Sequence, residues 1–214
     1  METVDAPVFS HPFTGIIAGP TKAGKTELAK RIVHNACTLI VPPPQKIMWC
    51  FREFQPGYKD LMAQPGVELV EGLPDLSALR ADVKTRKLIV MDDMMEAMDQ
   101  KKCGLTDLFT RGCHHWNVSV FHIVQNLFYG NIRTARINSH YILLLRNPSD
   151  KLQAVQLARQ LYPGKAQGFL DTYKEACAEP FGYLVVDLAP ETREDLRLRT
   201  KIFPNEFTEV FCLQ

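Results

Sequence analysis

The 214-residue chain lacks features that mark several broad protein classes. No apolar run reaches the roughly 18 residues that a membrane-spanning helix needs, so we expect no membrane span. No segment is internally repeated or of low complexity. The formal net charge is only +1, so the chain has no global basic excess for nucleic acid. DNA contacts would have to come from local patches, or from a modest patch repeated around an oligomer.

The chain also lacks the cysteine and leader patterns of secreted proteins. Its six cysteines are scattered and form no CxxC pair, which favours reduced thiols in an intracellular protein. The amino-terminal segment METVDAPVFSHPF is acidic and has no apolar core, so we expect no signal peptide.

What the chain does have is short apolar runs alternating with helical patterns. Five runs predict strands of a buried sheet, at 13–19, 46–51, 87–93, 118–125 and 140–146. Two helices are predicted later in the chain, at 150–161 and 165–177, followed by two strands, at 181–188 and 196–203. This alternation predicts an α/β fold with a mostly parallel sheet flanked by helices. We expect one domain over 1–214, with a core at about 13–150 and C-terminal elements at about 150–205 packed on it.

The segment GPTKAGKT, residues 19–26, fits the phosphate-binding pattern G-x-x-x-x-G-K-S/T between a strand and an amphipathic helix. Gly19 and Gly24 allow a tight turn close to phosphates. The loop between them would wrap those phosphates, at Pro20, Thr21, Lys22 and Ala23. Lys25 would reach the outer phosphates and Thr26 would ligate Mg²⁺. The alternative is a chance match in a Gly/Lys loop.

Two strand ends supply the polar groups that such a loop requires. The run LIVMDD ends in Asp92, which would hold Mg²⁺, and Asp93, which would orient and activate a water molecule. The alternative for Asp93 is a helix cap or first-turn acid. Gln125 closes the apolar strand 118–125, where its amide would contact the γ-phosphate and water. The alternative for Gln125 is an ordinary loop residue.

These residues carry a resemblance to viral genome-packaging ATPases of the FtsK/HerA superfamily, and within it to those of Maverick/Polinton-type elements and related double-jelly-roll DNA viruses. The resemblance spans about 13–205, through GPTKAGKT, LIVMDDMMEAM, LFTRGCHHWNVSVFHIVQNLF, HYILLLRNPSDK, LARQLYPGK, PFGYLVVDL and LRLRTKIFP. It implies a RecA-like P-loop NTPase core of the additional-strand type, with strand order 5-1-4-3-2 and extra C-terminal strands. It also implies an ATP- and Mg²⁺-dependent motor that moves double-stranded viral DNA into a preformed capsid.

The resemblance further implies a homo-oligomeric ring, usually a hexamer, at a capsid vertex in the nucleus or cytoplasm of the infected cell. In such a ring an arginine finger stabilises charge on the neighbour's γ-phosphate. Arg111 is the candidate, and Arg133, Arg136 and Arg146 are the alternatives. The wider superfamily generally has Glu after the first acid of the strand, whereas this chain has Asp93.

Basic residues near the expected pore are the candidates for DNA contact. Lys101 and Lys102 follow the acidic strand, and Arg133 and Arg136 lie in the segment 129–140, which we expect to be a loop. The alternative for each is solvated surface charge.

Three other functions stay open at this point. The first is another FtsK/HerA-type translocase or helicase. The second is a small P-loop kinase, although such kinases typically lack the second acid and the polar strand end. The third is an assembly factor that binds ATP but hardly hydrolyses it.

Overall fold

The computed structural model describes residues 8–94, 107–128 and 132–213. Within these ranges the strands are β1 (Phe9–Ser10), β2 (Thr14–Ala18), β3 (Ile40–Val41), β4 (Lys46–Phe51), β5 (Val67–Glu71), β6 (Lys87–Asp92), β7 (Val118–Val124), β8 (Tyr141–Leu145), β9 (Tyr183–Asp187), β10 (Leu198–Thr200) and β11 (Glu209–Phe211). The helices are α1 (Lys25–His34), α2 (Ala36–Leu39), α3 (Lys59–Met62), α4 (Leu76–Ala81), α5 (Cys113–His115), α6 (Ile132–Ile137), α7 (Leu152–Leu161) and α8 (Ala166–Ala176). A π-helical turn, Leu108–Gly112, leads directly into α5.

Nine strands form one sheet in the order β11-β10-β9-β8-β2-β7-β6-β4-β5. The six strands from β8 to β5 run parallel to one another, whereas β9, β10 and β11 are antiparallel additions at one side. The five strands expected from the apolar runs lie side by side as β8-β2-β7-β6-β4. Strand β7 therefore lies between β2, which precedes the GPTKAGKT loop, and β6, which ends in the acidic pair.

Both faces of the sheet are buried, which explains why its central strands are continuously apolar. Ile17 belongs to one core cluster and its neighbour Ile16 to the other. The first face is covered by the apolar side of α1, through Leu28, Ile32 and Val33. The second face is covered by α7 and α8, through Leu157 and Phe169. Among the described residues, no helix combines the length and apolarity needed to cross a bilayer.

The parallel ladders bring the carboxyl ends of three central strands to one edge. Ala18, the last residue of β2, pairs with Val124 of β7. Asp92, the last residue of β6, pairs with Ile123 of β7. Helix α1 starts from the same edge after Gly24, whose φ of 94° requires glycine.

Several elements differ from the sequence-based expectation. Strand β5 was not expected, because as a half-exposed edge strand it lacks a continuous apolar run. The segment 181–188 does not begin as a strand, because Phe181 has a left-handed φ of 62° and β9 starts at Tyr183. The segment 129–140, expected as a loop, contains α6, whose Ile132 and Ala135 are buried against the core. The short pair β1 and β3, and β11, also carry too little pattern to be recognised in sequence.

Gly15 in β2 is required by close packing with β7. A methyl group at Gly15 would lie 2.5 Å from Cε1 and 2.7 Å from Cδ1 of Phe121. That ring is enclosed by Phe13 and Phe9, with centroids 4.9 and 5.2 Å away. We expect Gly15→Ala to lower the free energy of unfolding in urea by about 1–3 kcal/mol, because the core has no space for the methyl group.

Gly164 provides the matched control, since a methyl group there would meet no atom of the described residues within 4 Å. Gly164→Ala should change the free energy of unfolding by no more than about 0.5 kcal/mol. Equal stabilities of the two variants would contradict the packing argument.

Candidate functional site

A cavity of about 220 Å³ opens at the carboxyl edge of the sheet, between the ends of β2, β6 and β7. It is lined by Thr21, Lys22, Lys25, Thr26, Gln55, Asp92, Asp93, Ile123, Val124 and Gln125. The cavity thus brings together the side chains expected to perform phosphate chemistry. In the sequence these residues lie up to 100 positions apart, from 25 to 125. They are Lys25, Thr26, Asp92, Asp93 and Gln125.

The loop 19–24 is fixed to the sheet at one end and to α1 at the other. The Gly19 amide donates to the Val124 carbonyl at 3.3 Å, and the Gly24 carbonyl accepts the first helical hydrogen bond, from Leu28, at 2.8 Å. The Lys25 ammonium donates to the Pro20 carbonyl at 2.8 Å. Burial lowers the pKa of Lys25, and the nearby acidic pair opposes that shift. The loop therefore holds a cation over its own backbone, where phosphate oxygens would be attracted.

Asp92 is a buried carboxylate held by two hydroxyl groups. Its Oδ2 accepts hydrogen bonds from Tyr58 Oη at 2.9 Å and from Thr26 Oγ1 at 3.1 Å. Burial raises the pKa of Asp92, while the two hydrogen bonds and the charge of Lys25 oppose the rise. Hydroxyl and carboxylate oxygens are the ligands that Mg²⁺ prefers beside substrate phosphates. Thr26 and Asp92 therefore fit the expected metal site.

Asp93 and Gln125 lie at the open side of the cavity. Both are exposed, and each follows directly after the strand that carries it. Asp93 has a left-handed φ of 56°, a conformation that Asp tolerates better than most residues. The turn there separates the buried Asp92 from its exposed neighbour. The two adjacent carboxylates therefore occupy different environments, one enclosed and one accessible to water.

Sequence reasoning missed two residues at this site, Gln55 and Tyr58. They lie in the segment QPGY, which in sequence is only a turn signal. In the structure this segment forms a 3₁₀ turn, Pro56–Tyr58, with Gln55 in the lining of the cavity and Tyr58 hydrogen-bonded to Asp92. Tyr58 lies against Trp49 and Phe51, with ring centroids 5.6 and 5.4 Å away. No local pattern could have identified these residues, because the contact with Asp92 depends on how β4 and β6 pair.

Of the other predicted site residues, Arg133, Arg136 and Arg146 do not line this cavity. Arg111 belongs to the π-helical turn before α5, and its side chain lies outside what the structure describes. Lys101 and Lys102 also lie outside the described residues. Arg146 is exposed, immediately after β8.

Arg133 and Arg136, on α6, have different surroundings. Arg133 is exposed, whereas Arg136 is half-buried. The Arg136 guanidinium lies 4.5 Å from the Phe128 ring centroid and donates to Gln160. Its contacts are therefore within the subunit, which makes Arg133 the freer of the two for an external partner.

No protein-family model and no curated protein sequence matches this chain. Among solved structures, it is similar to the genome packaging NTPase B204 of Sulfolobus turreted icosahedral virus 2 in complex with AMP, with a TM-score of 0.58 and 11% identity over 89% of this chain and 97% of that one. B204 has also been solved with ATP-γS. The cytoplasmic domain of the Thermomonospora curvata type VII secretion ATPase EccC gives a TM-score of 0.56 and 16% identity over 84% of this chain and 24% of that one.

A KaiC-like protein, PH0186, from Pyrococcus horikoshii gives a TM-score of 0.50 and 11% identity over 94% of this chain and 90% of that one. At these identities the likeness establishes a shared fold. The chain has the α/β fold, with a large and mostly parallel sheet, that is found in these ATPases.

The contact between Tyr58 and Asp92 can be tested with a double-mutant cycle. Tyr58→Phe should lower the free energy of unfolding by about 1.5–3 kcal/mol, because a buried carboxylate loses a donor. In an Asp92→Asn background the same change should cost only about 0.5–1.5 kcal/mol, because the partner is then neutral. Urea denaturation at neutral pH measures both. An equal cost in the two backgrounds would mean that the hydroxyl does not stabilise the carboxylate.

Proposed function

We propose that this protein is an ATPase that, as a homo-oligomeric ring, translocates double-stranded viral DNA into a preformed capsid. The observation that carries the ATPase part is the convergence of Lys25, Thr26, Asp92, Asp93 and Gln125 on one cavity. A lysine on a phosphate-binding loop beside a buried acid, an exposed acid and an amide provides the groups that hydrolysis of a nucleoside triphosphate requires.

Each side chain has a distinct role in this proposal. Lys25 exchanges its bond to the Pro20 carbonyl for the outer phosphates and neutralises their charge. Asp93, exposed at the cavity, accepts a proton from the attacking water, and Gln125 orients that water. Thr26 and Asp92 hold Mg²⁺, which when bound neutralises charge on the phosphate oxygens. Tyr58 keeps the Asp92 carboxylate in position.

Within P-loop proteins, we assign the chain to the RecA-like additional-strand type. Support comes from β7, which lies between the strand of the phosphate loop and the acidic strand and ends beside the cavity. The parallel part of the sheet, β8-β2-β7-β6-β4, agrees with the order 5-1-4-3-2. The single unit 1–214, with β9 to β11 as C-terminal additions, is part of the same proposal.

The assignment to viral genome packaging rests on two independent lines of support. One is the sequence resemblance to FtsK/HerA-type packaging ATPases of Maverick/Polinton-like elements, carried by segments from GPTKAGKT to LRLRTKIFP. The other is the similarity in fold to B204, a genome packaging NTPase, over nearly the whole of both chains. We accordingly propose action at a capsid vertex inside the infected cell.

The ring is proposed because the resemblance to FtsK/HerA-type ATPases implies an arginine finger supplied to a neighbouring subunit, and Arg111 is the candidate. Its π-helical turn leads into α5, which ends just before β7 begins at the amino edge of the sheet. The cavity lies at the opposite, carboxyl edge. An arginine at that position can act on a neighbour's nucleotide, as a finger supplied in trans. Arg133, exposed on α6, and Arg146, exposed after β8, are the alternative fingers, whereas Arg136 contacts Phe128 and Gln160 within the subunit. Arg133 is also a candidate DNA contact, together with Lys101 and Lys102.

The activity is tested by measuring ATP hydrolysis with and without long double-stranded DNA. We expect DNA to stimulate hydrolysis, and the stimulation to fall as salt rises, because it depends on phosphate contacts. Lys25→Ala should lower kcat by at least about a hundredfold, because it removes a charge that stabilises the transition state. Lys174→Ala, an exposed lysine on α8, is the matched control and should leave kcat unchanged.

Assays of DNA unwinding and of phosphate transfer to nucleosides, run beside the hydrolysis assay, separate the alternative functions. Hydrolysis without DNA stimulation would contradict a DNA motor, and unwinding of DNA would favour a helicase. Phosphate appearing on a nucleoside would identify a kinase, and binding without turnover would identify an assembly factor.

The trans finger is tested by mixing two inactive variants, Arg111→Ala and Asp93→Ala. Random assembly of an equimolar mixture would restore about a quarter of the interfaces, because each site takes its acid from one subunit and its arginine from the next. We expect hydrolysis to return in the mixture and to be absent from either variant alone. Mixtures of Arg133→Ala or Arg146→Ala with Asp93→Ala test the alternative arginines. No recovery with Arg111→Ala, under conditions where wild-type rings form, would contradict its role.

A further inference from the structure

Phe181 combines an exposed aromatic ring with an unfavourable backbone conformation. It lies in the turn 179–182 between α8 and β9, which is closed by a hydrogen bond from the Gly182 amide to the Glu179 carbonyl at 3.1 Å. Its side chain is 70% exposed and its φ is 62°. A left-handed conformation is a genuine outlier for a bulky residue and costs on the order of 1–3 kcal/mol. The exposed ring contributes little to the core that would offset this cost.

The turn holds Phe181 firmly at the edge that carries the phosphate loop. A methyl group at Gly182 would lie 2.7 Å from the Ala176 carbonyl oxygen, so the turn is packed closely against the end of α8. The next residue, Tyr183, pairs with Leu145, the last residue of β8. The carboxyl end of β8 is also close to the loop, since a methyl group at Gly19 would lie 2.9 Å from Cβ of Leu145.

The ring of Phe181 lies directly against the phosphate loop. A methyl group at Gly24 would come within 2.8 Å of Cδ1 of Phe181. Gly24 is the residue that precedes Lys25 and α1, so the ring borders the loop on its β8–β9 side. The cavity with Asp92, Asp93 and Gln125 borders the same loop on its β7–β6 side.

The positions of Phe181 and of the cavity, on opposite sides of the loop, define how a nucleotide would be oriented there. The reacting phosphate belongs in the cavity with the acidic pair, so the nucleoside end leaves the loop on the opposite side. Phe181 is the aromatic side chain that borders the loop there. Aromatic rings stack on the faces of nucleobases, and this interaction accepts any base because every base has a π face.

We propose that Phe181 is a stacking platform for the base of the nucleoside triphosphate. The proposal rests on the proposed nucleotide-binding function and adds a subsite to it. Stacking alone does not read the hydrogen-bonding edge of a base, so this platform does not distinguish adenine from guanine. Phe181 thus accounts for affinity for the nucleoside, whereas the loop accounts for affinity for the phosphates.

The test compares three ligands by isothermal titration calorimetry: ATP, GTP and inorganic tripolyphosphate, which has no base. Phe181→Gly should weaken ATP and GTP binding by a similar factor of about 5 to 150. It should leave tripolyphosphate affinity unchanged. The same variant should be at least as stable as the wild type, because glycine accepts a left-handed φ without strain. A residue with only a structural role would not lose affinity while gaining stability.

Further variants make the result specific. Phe181→Trp keeps a stacking surface and should retain ATP affinity, whereas Phe181→Ala should lose it as Phe181→Gly does. The control is Ile137→Ala, which should leave ATP affinity unchanged. Ile137 is 62% exposed and precedes Asn138, whose carbonyl accepts a hydrogen bond from Thr14 at the opposite edge of the sheet.

Two failures can be distinguished. If the wild type binds ATP and Phe181→Gly and Phe181→Ala bind it equally well, the base platform is wrong and the proposed ATPase function stands. An equal loss of tripolyphosphate and ATP affinity would also overturn the platform, because the ring would then support the loop and not the base. If the wild type binds none of the three ligands, the proposed function fails together with the platform.

Discussion

The site depends on the parallel register of β6, β7 and β2. In this register the last residue of β6 lies opposite Ile123, and the last residue of β2 lies opposite Val124, so the three strands end at nearly the same level. Because the strands are parallel, everything that follows them emerges at one edge. That geometry alone brings together the loop 19–24, the acidic pair Asp92 and Asp93, and the side-chain amide of Gln125. A one-residue slip of β6 would put either Asp93 or Met91 in the buried position that Asp92 occupies.

The register therefore also divides the charges at the site. Asp92 is still within the strand and buried, and its charge is stabilised by two hydroxyl donors and by Lys25. Asp93 is beyond the strand and exposed. Burial raises the pKa of Asp92 and lowers that of Lys25, and the attraction between the two charges opposes both shifts. Each group therefore partly offsets the cost of burying the other. A fixed acid and an accessible acid in adjacent positions suit the different tasks of holding a metal ion and accepting a proton.

The sequence predicted the parts of this arrangement that have local patterns. The five central strands were recognised because strands buried on both faces are continuously apolar. The loop 19–24 was predicted to bind phosphate because its glycines and lysine have a fixed spacing. Tyr58 was missed because its role depends on the pairing of β4 with β6, which brings the turn that follows β4 within hydrogen-bonding distance of Asp92. Strand β5 was missed because half-exposed edge strands lack that apolar pattern. Contacts between distant segments, and turns with unusual dihedral angles, carry no such local signal.

The left-handed residues at this edge indicate where the fold gives up stability. Gly24 adopts this conformation at little cost, and Asp93 at a modest one, because short polar side chains tolerate it. Phe181 adopts the same conformation at a greater cost, because its side chain is bulky, and a glycine in its place would satisfy the same turn. Its ring lies on Gly24, beside the loop that would bind phosphates, and not in the core. A strained residue that neither packs the core nor is needed by its turn is best explained by what its side chain contacts, and here that contact is the phosphate loop.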